Sequence, residues 1–320
     1  MSKSNTRQTA DIAHVVGRKN LIINGGFDVW QRGTSFSPSN ANTYTADRWY
    51  GYYQDTAITQ ETVTYSGTKL NALKVSCTNA GLIPWIAQKI ENNSWASNKT
   101  ITVSFLVKTT SAFSDFKVGY SVENGSGTSL ANGQIGSNIA VTTSFVRHSV
   151  SISIADLSSA TLDDAGSEVR IEFKKSAGSG DFTIAQVQLE LGSVATDFEH
   201  RSYGEELALC QRYGWAMDWS FCHWMSSDIG RLHGTFPVPM RGIPSVTYIN
   251  THLYGERYNQ AGGYTTSASH YGSQYGLSDG YDFMISGWSG ANINVAYGNT
   301  GIIKPTAGLG NAIAFLDAEL

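Results

Sequence analysis

The chain has 320 residues, a formal net charge of −4 and only 15% charged residues. That balance excludes nucleic acid as the main partner, because phosphate binding requires a basic field. The 33 glycines and 16 tyrosines, set among few charges, suit strands and ordered loops rather than disorder.

Residues 1–19 are polar and read as an arm, either a floppy terminus or an attachment segment. Ile12, Val15 and Val16 are spaced three and four apart, enough for one or two helical turns that would order only against a partner or in a bundle of copies. The arm lacks an apolar signal core, and no run approaches the ~20 apolar residues of a membrane helix. We therefore expect a soluble protein made in a cytoplasm. Three cysteines, Cys77, Cys210 and Cys222, are an odd number without knuckle spacing and are expected to be reduced and buried.

From Asn20 to Trp49 the chain packs apolar residues tightly around a turn. Leu21–Ile23 reads as the first strand of a sandwich, Gly25 and Gly26 turn the backbone where a side chain would clash, and Phe27, Val29 and Trp30 resume the apolar run. Trp30 and Trp49 are expected core aromatics. Between 60 and 200, apolar residues recur at every second position: Leu73–Cys77, Ile101–Val107, Phe116–Val122, Val146–Ile154 and Val169–Phe173. Period two predicts half-buried antiparallel strands, and Gly/Ser/Asn-rich gaps separate them. In 181–191 the apolar parity changes between Ile184 and Val187, which predicts a β-bulge near Ala185 or Gln186.

Ser202-Tyr-Gly-Glu205 has the pattern of a capping box. Tyr203, Leu207 and Cys210 would form the stripe of a linking helix over 202–214, stopped by Gly214 in the left-handed conformation. Residues 215–320 then supply short strand-like runs at 230–236, 244–250, 281–286, 292–297 and 312–318. Pro237, Pro239 and Pro244 mark an edge or a connection. The expected fold is all-β: an N-terminal jelly-roll sandwich over 20–201, the linking helix, and a smaller C-terminal β-sandwich or barrel over 215–320.

Candidate recognition residues concentrate in 253–281, where Tyr254, Tyr258, Tyr264, His270, Tyr271 and Tyr275 stand among Gly, Ser, Asn and Gln. Tyrosine gives broad contact area at small entropic cost, and short polar side chains give adaptable hydrogen bonds. Packing of these tyrosines between subunits is the competing reading. Trp85 and Trp95, in loop-like contexts, are further candidates for stacking on a sugar ring. Catalysis finds no motif: there is no Gly-x-Ser-x-Gly, no His-Glu-x-x-His and no phosphate-binding loop. His223 and His233 read as core or loop histidines. We expect no enzyme.

Asn-Gly-Gly-Phe-Asp at 24–28 and Gln-Leu-Glu-Leu-Gly-Ser-Val-Ala-Thr-Asp-Phe-Glu-His-Arg at 188–201 resemble the carbohydrate-binding-module-like jelly rolls of bacteriophage tail-fibre and other virion fibre proteins. Cys-Gln-Arg-Tyr at 210–213 and the terminal Asp-Ala-Glu-Leu resemble such proteins too. The resemblance implies a non-enzymatic, homotrimeric virion protein that binds host-surface polysaccharide and contacts other virion proteins through its N-terminal arm. It implies no cofactor beyond a structural calcium, for which Asp28 is the matching acid. Gln186 stands where such modules often have Asp. The alternatives are a capsid-decorating head fibre with a mechanical role and a polysaccharide depolymerase.

Overall fold

A computed structural model describes residues 19–37, 42–52, 55–176, 178–218, 220–224, 229–248, 252–257, 264–267, 269–270, 280–286, 300–305 and 314–319. The chain divides into two compact units, one ending at Glu206 and the other covering Leu207–Glu319.

In the first unit the period-two segments are strands, because each presents one apolar face to a shared core. In chain order they are β1 (Ser35–Phe36), β2 (Thr43–Tyr44), β3 (Trp49–Tyr52), β4 (Thr56–Tyr65), β5 (Thr68–Cys77), β6 (Trp85–Glu91), β7 (Thr100–Lys108), β8 (Phe113–Glu123), β9 (Ser129–Val141), β10 (Val146–Ser153), β11 (Glu168–Lys175) and β12 (Gly180–Leu191). They form two antiparallel six-stranded sheets, β1-β4-β5-β12-β7-β10 and β2-β3-β6-β11-β8-β9. Ile58, Val75, Val103 and Phe105 of the first sheet pack with Ile86, Phe116, Ile171 and Phe173 of the second in one cluster. Phe105 meets Phe173 edge-on at 5.1 Å, and Phe116 meets Phe182 in the same way at 5.1 Å. The protein is thus nearly all β, and its first unit is a jelly-roll sandwich.

Residues 21–23 depart from expectation. They are not a strand, although Leu21 and Ile22 are buried. Leu21 N–H makes one backbone bond to the Leu189 carbonyl of β12 (2.9 Å), but side chains take the next three donors. Ile22 N–H donates to Asn20 Oδ1 (3.0 Å), Ile23 N–H to Gln88 Oε1 (2.8 Å) and Asn24 N–H to Glu206 Oε1 (2.5 Å). The Gln88 amide also returns a hydrogen bond to the Ile23 carbonyl (2.7 Å), so one inward amide replaces a neighbouring strand. Gly25 must lack a side chain: a Cβ there would lie 2.1 Å from the Val187 carbonyl oxygen. Val187 N–H donates back to the Gly25 carbonyl (2.9 Å).

That approach occurs at the bulge of β12. Its pairing with β7 shifts between Ala185 and Gln188, and Gln186 has φ 48°, so the expected irregularity is present where the apolar parity changes. Trp49 is fully buried as expected, whereas Trp30 is only half-buried, stacked 6.4 Å from Phe36.

The helix α1 (Tyr203–Gln211) follows, with Glu205 N–H donating to Ser202 Oγ (3.3 Å) as a capping box requires. Its buried face matches the expected stripe only in part. Cys210 is buried as expected and Leu207 half-buried, but Tyr203 is 60% exposed, and Glu206 and Leu209 are buried in addition. Glu206, buried in the first turn, is held there by Arg201 (3.3 Å) and by Asn24 N–H (2.5 Å). Gly214 does not serve as a stop but opens a strand.

The second unit contains β13 (Gly214–Met217), β14 (Ser220–Trp224), β15 (Ile229–Thr235), β16 (Ser245–Tyr248), β17 (His252–Arg257), β18 (Tyr264–Ser267), β19 (Ser269–His270), β20 (Gly280–Ser286), β21 (Thr300–Pro305) and β22 (Ala314–Asp317). One sheet has the order β13-β22-β16 and the other β18-β17-β21-β14-β15-β20-β19. Met217, Leu232, Phe236, Met240, Phe315 and Leu316 are buried here. The three prolines lie in or beside the connection from β15 to β16. The strand expected at 292–297 lies outside the described residues.

Candidate functional site

The outward face of the second sheet of the sandwich carries the chemistry. In β11, Val169, Ile171 and Phe173 point into the core, so Glu168, Arg170, Glu172 and Lys174 point away from it. The cross-strand register extends this face over its neighbours. Lys174 sits opposite Trp85 of β6 and Lys117 of β8, and Trp85 sits opposite Tyr52 of β3. One row across four strands therefore reads Tyr52, Trp85, Lys174, Lys117. The adjacent row reads Tyr50, Ala87, Glu172, Gly119 and has a low floor of small residues.

These rows enclose a cleft of about 460 Å³. Tyr50, Ile83 and Trp85 form one side, and Lys117, Arg170, Glu172 and Lys174 the other. A smaller depression of about 300 Å³ shares Arg170, Glu172 and Lys174 with this cleft and extends to Ser121, Glu123, Ser129 and Asn132. Trp85 and Tyr52 lie nearly parallel, 6.1 Å apart at 23°, and both are half-buried. Tyr50, fully buried, braces Trp85 edge-on at 5.4 Å. The result is a rigid aromatic shelf on the rim of a polar trough.

The charges are mostly internally paired. Arg170 meets Glu123 at 3.1 Å and Lys89 meets Glu168 at 3.1 Å, while Lys174 is bonded to Glu172. Burial pushes the Tyr50 phenol well above its ordinary range, with Arg170 opposing, so the hydroxyl stays neutral. Burial also raises the Glu168 carboxyl, and Lys89 pulls it back. For Arg170, burial works against the charge, but Tyr50, Glu123 and Glu172 outweigh it and keep the guanidinium charged. Arg170 is thus a fixed fork of donors at the middle of the trough.

Gly119 makes the trough floor possible. A Cβ there would lie 2.5 Å from Glu172 Oε1 and 2.7 Å from its Cγ. Gly119→Ala should lift Glu172 off the floor, release Lys174 and destabilise the unit by about 1–2 kcal/mol. Urea denaturation checks the stability.

Of the expected site residues, the structure brings Trp85 to the cleft, as the first residue of β6 rather than in a loop. Trp95 lies in a 3-10 turn (Ser94–Ala96), donates to the Asn92 carbonyl (3.2 Å) and packs against the core instead. Tyr264 begins β18, at one edge of the seven-stranded sheet, and His270 ends β19, at the opposite edge. Tyr254 is in β17 beside β18, paired in register with Thr265, while Tyr264 pairs with Gly255. The tyrosine-rich segment is therefore partly strand rather than one continuous loop. Tyr258, Tyr271 and Tyr275, and Ile12, Val15 and Val16 of the arm, lie outside the described residues. The trough residues Lys117, Arg170, Glu172 and Lys174 were not singled out from sequence. Arg170, Glu172 and Lys174 belong to the alternating Glu-x-Arg-x-Glu-x-Lys of β11, whereas Lys117, in β8, carries no such pattern.

The expected calcium does not fit. Asp28 is exposed and accepts a hydrogen bond from Asn71 Nδ2 (2.8 Å). The nearby carbonyls of Val29 and Asp47 converge on Asn24 Nδ2, at 2.8 and 3.0 Å, so an amide occupies the place where a cation would gather oxygens. Among the described residues no group of three or more His, Cys, Asp or Glu is placed to hold a metal.

No family model matches the sequence, and no curated protein does. Similar solved structures include the CBM22-1 xylan-binding domain from Paenibacillus barcinonensis Xyn10C, 14% identical, with a TM-score of 0.34 over 50% of this chain and 94% of that one. Another is the family 11 carbohydrate-binding module of a cellulosomal cellulase from Clostridium thermocellum, 16% identical, with a TM-score of 0.31 over 51% and 97%. A third is the enzymatically active domain of bacteriophage CBA120 tailspike protein 4, 16% identical, with a TM-score of 0.36 over 54% of this chain and 21% of that one. An α-L-arabinofuranosidase and an exo-beta-agarase are matched as well, over 27% and 26% of their chains.

Proposed function

We propose that the protein binds glycan on the outward face of the second sheet, along the trough that begins at Trp85. The observation that carries this reading is the Tyr52–Trp85 shelf opening onto a cleft lined by fixed polar groups. A sugar ring has apolar C–H faces and equatorial hydroxyls. A flat aromatic takes the first and ion-paired side chains at the trough take the second. Glu123 and Glu172, the carboxylates facing the trough, are held in ion pairs to Arg170 and Lys174, an arrangement suited to binding without bond cleavage. The motifs at 24–28 and 188–201 support the wider reading of a phage fibre-type adhesive protein. In it, residues 1–19 attach to the virion, copies associate as a homotrimer, and the tyrosine-rich C-terminal unit adds contacts to host polysaccharide. Weak sites on several subunits would then combine by avidity.

Trp85→Ala tests the site directly. Removing an anchoring aromatic should weaken glycan binding by about 2 kcal/mol, roughly thirtyfold, read by calorimetric titration against oligosaccharides found to bind on a glycan array. Unchanged affinity in the variant would overturn the reading, as would an array without any binder.

A further inference from the structure

The row Tyr52, Trp85, Lys174, Lys117 contains an arrangement that stability does not explain. Lys174 and Lys117 are directly opposite each other on β11 and β8. Like charges in that position repel, and proteins ordinarily avoid them. Glu172 neutralises Lys174. Lys117 is half-buried, lines the cleft, and has no acidic partner among the described residues. With Lys174 paired to Glu172 and Arg170 to Glu123, Lys117 is the charge at the aromatic end of the trough that these pairs leave over.

From this geometry we propose that the cleft selects a glycan carrying an acidic sugar, with its carboxylate or sulfate seated between Lys117 and Lys174 while a ring lies on Trp85. The inference rests on the glycan-binding reading of the same cleft. Strands are ~4.8 Å apart, so the two ammonium-bearing positions lie about 5–10 Å from Trp85 along the row. That distance suits an anionic group on the stacked ring or on the next one. An ammonium meeting an anion makes a charge-assisted hydrogen bond stronger than a neutral one.

The test is a calorimetric titration of the full chain with two acidic probes, oligogalacturonate and sulfated galactan oligosaccharides. Each is set beside its neutral counterpart, carboxyl-reduced or desulfated. We expect at least one acidic probe to bind about tenfold or more tighter than its counterpart, with the advantage shrinking in about 0.5 M salt. The probe that gains tells carboxylate from sulfate. Lys117→Met should bring the ratio of acidic to neutral affinity down to about one, whatever it does to each affinity alone, and Lys117→Arg should retain the ratio. Lys69→Met, which removes an exposed charge on the other sheet, should change nothing. Equal affinity for acidic and neutral forms, or an undiminished advantage in Lys117→Met, overturns the acidic-sugar assignment and leaves glycan binding standing. Failure of every probe, acidic and neutral, overturns both.

Discussion

Arg201→Met should destabilise the first unit by about 3–5 kcal/mol, because it breaks a buried ion pair from one side. The Arg201 side chain is only 4% exposed. Its guanidinium donates to the carbonyl of Ile22 (3.0 Å) and to that of Asn20, and pairs with Glu206 at 3.3 Å and Glu199 at 3.1 Å. Removing it leaves the Glu206 carboxylate without its buried counter-charge. Burial already raises the Glu206 carboxyl above its ordinary value, with Arg201 and the Asn24 N–H holding it down. Without Arg201 it should rise further and take up a proton. A second change, Glu206→Gln, should recover part of the loss, since the residue left behind is then neutral. Chemical denaturation of the single and double variants checks both statements. A loss below about 1 kcal/mol for the single change would mean that the guanidinium is as well solvated as a surface pair.

Asn24→Ala should cost about 3 kcal/mol through polar groups left unpaired. The Asn24 side chain is fully buried, donates to the Val29 and Asp47 carbonyls, and accepts from Val29 N–H at 3.0 Å. Each buried group abandoned costs about 1–3 kcal/mol. The residue also sits at φ 56°, a conformation that asparagine tolerates better than alanine. Its own carbonyl accepts from Trp49 Nε1 (3.0 Å), so a shift of the loop would reach the central aromatic. Asn24→Asp should be at least as harmful, because a carboxylate would face two carbonyl oxygens. Thermal melting distinguishes these outcomes from a neutral surface change.

The sandwich was legible where one face is apolar. β5, β7, β8, β10, β11 and β12 follow from alternation alone, and even the bulge in β12 is written in the parity change. β6 was harder to read because its inward positions are Ile86, Gln88 and Ile90, and a buried amide hides the pattern. β21 contains Gly301, Pro305 and the adjacent pair Ile302-Ile303, which defeat both period and propensity. The site was harder still. A binding face is the polar remainder of a strand and looks like any solvated surface until the register sets its rows side by side. Trp85 stood out as a type of residue. Lys117 gained meaning only when β8 was placed next to β11, 57 positions away by register from Lys174. The stretches that carry the family resemblance turn out to be joinery. Gly25 of the first accepts from Val187 N–H beside the second, Arg201 of the second holds the Asn20 and Ile22 carbonyls just ahead of the first, and Gln188 accepts from Glu199 N–H (2.8 Å) within the second.

This joinery has a consequence for biosynthesis. Asn20 bonds to Glu199 across 179 positions, Arg201 to Asn20 across 181 and Glu206 to Asn24 across 182. A nascent chain leaving the ribosome must hold its opening residues unsecured until the last part of the unit emerges. Asn20, Leu21 and Gly25 tie the entrance segment to Val187 and Leu189 of β12, and Arg201 and Glu206 clamp it from the other end of the unit, so these long-range bonds form only when the unit is nearly complete.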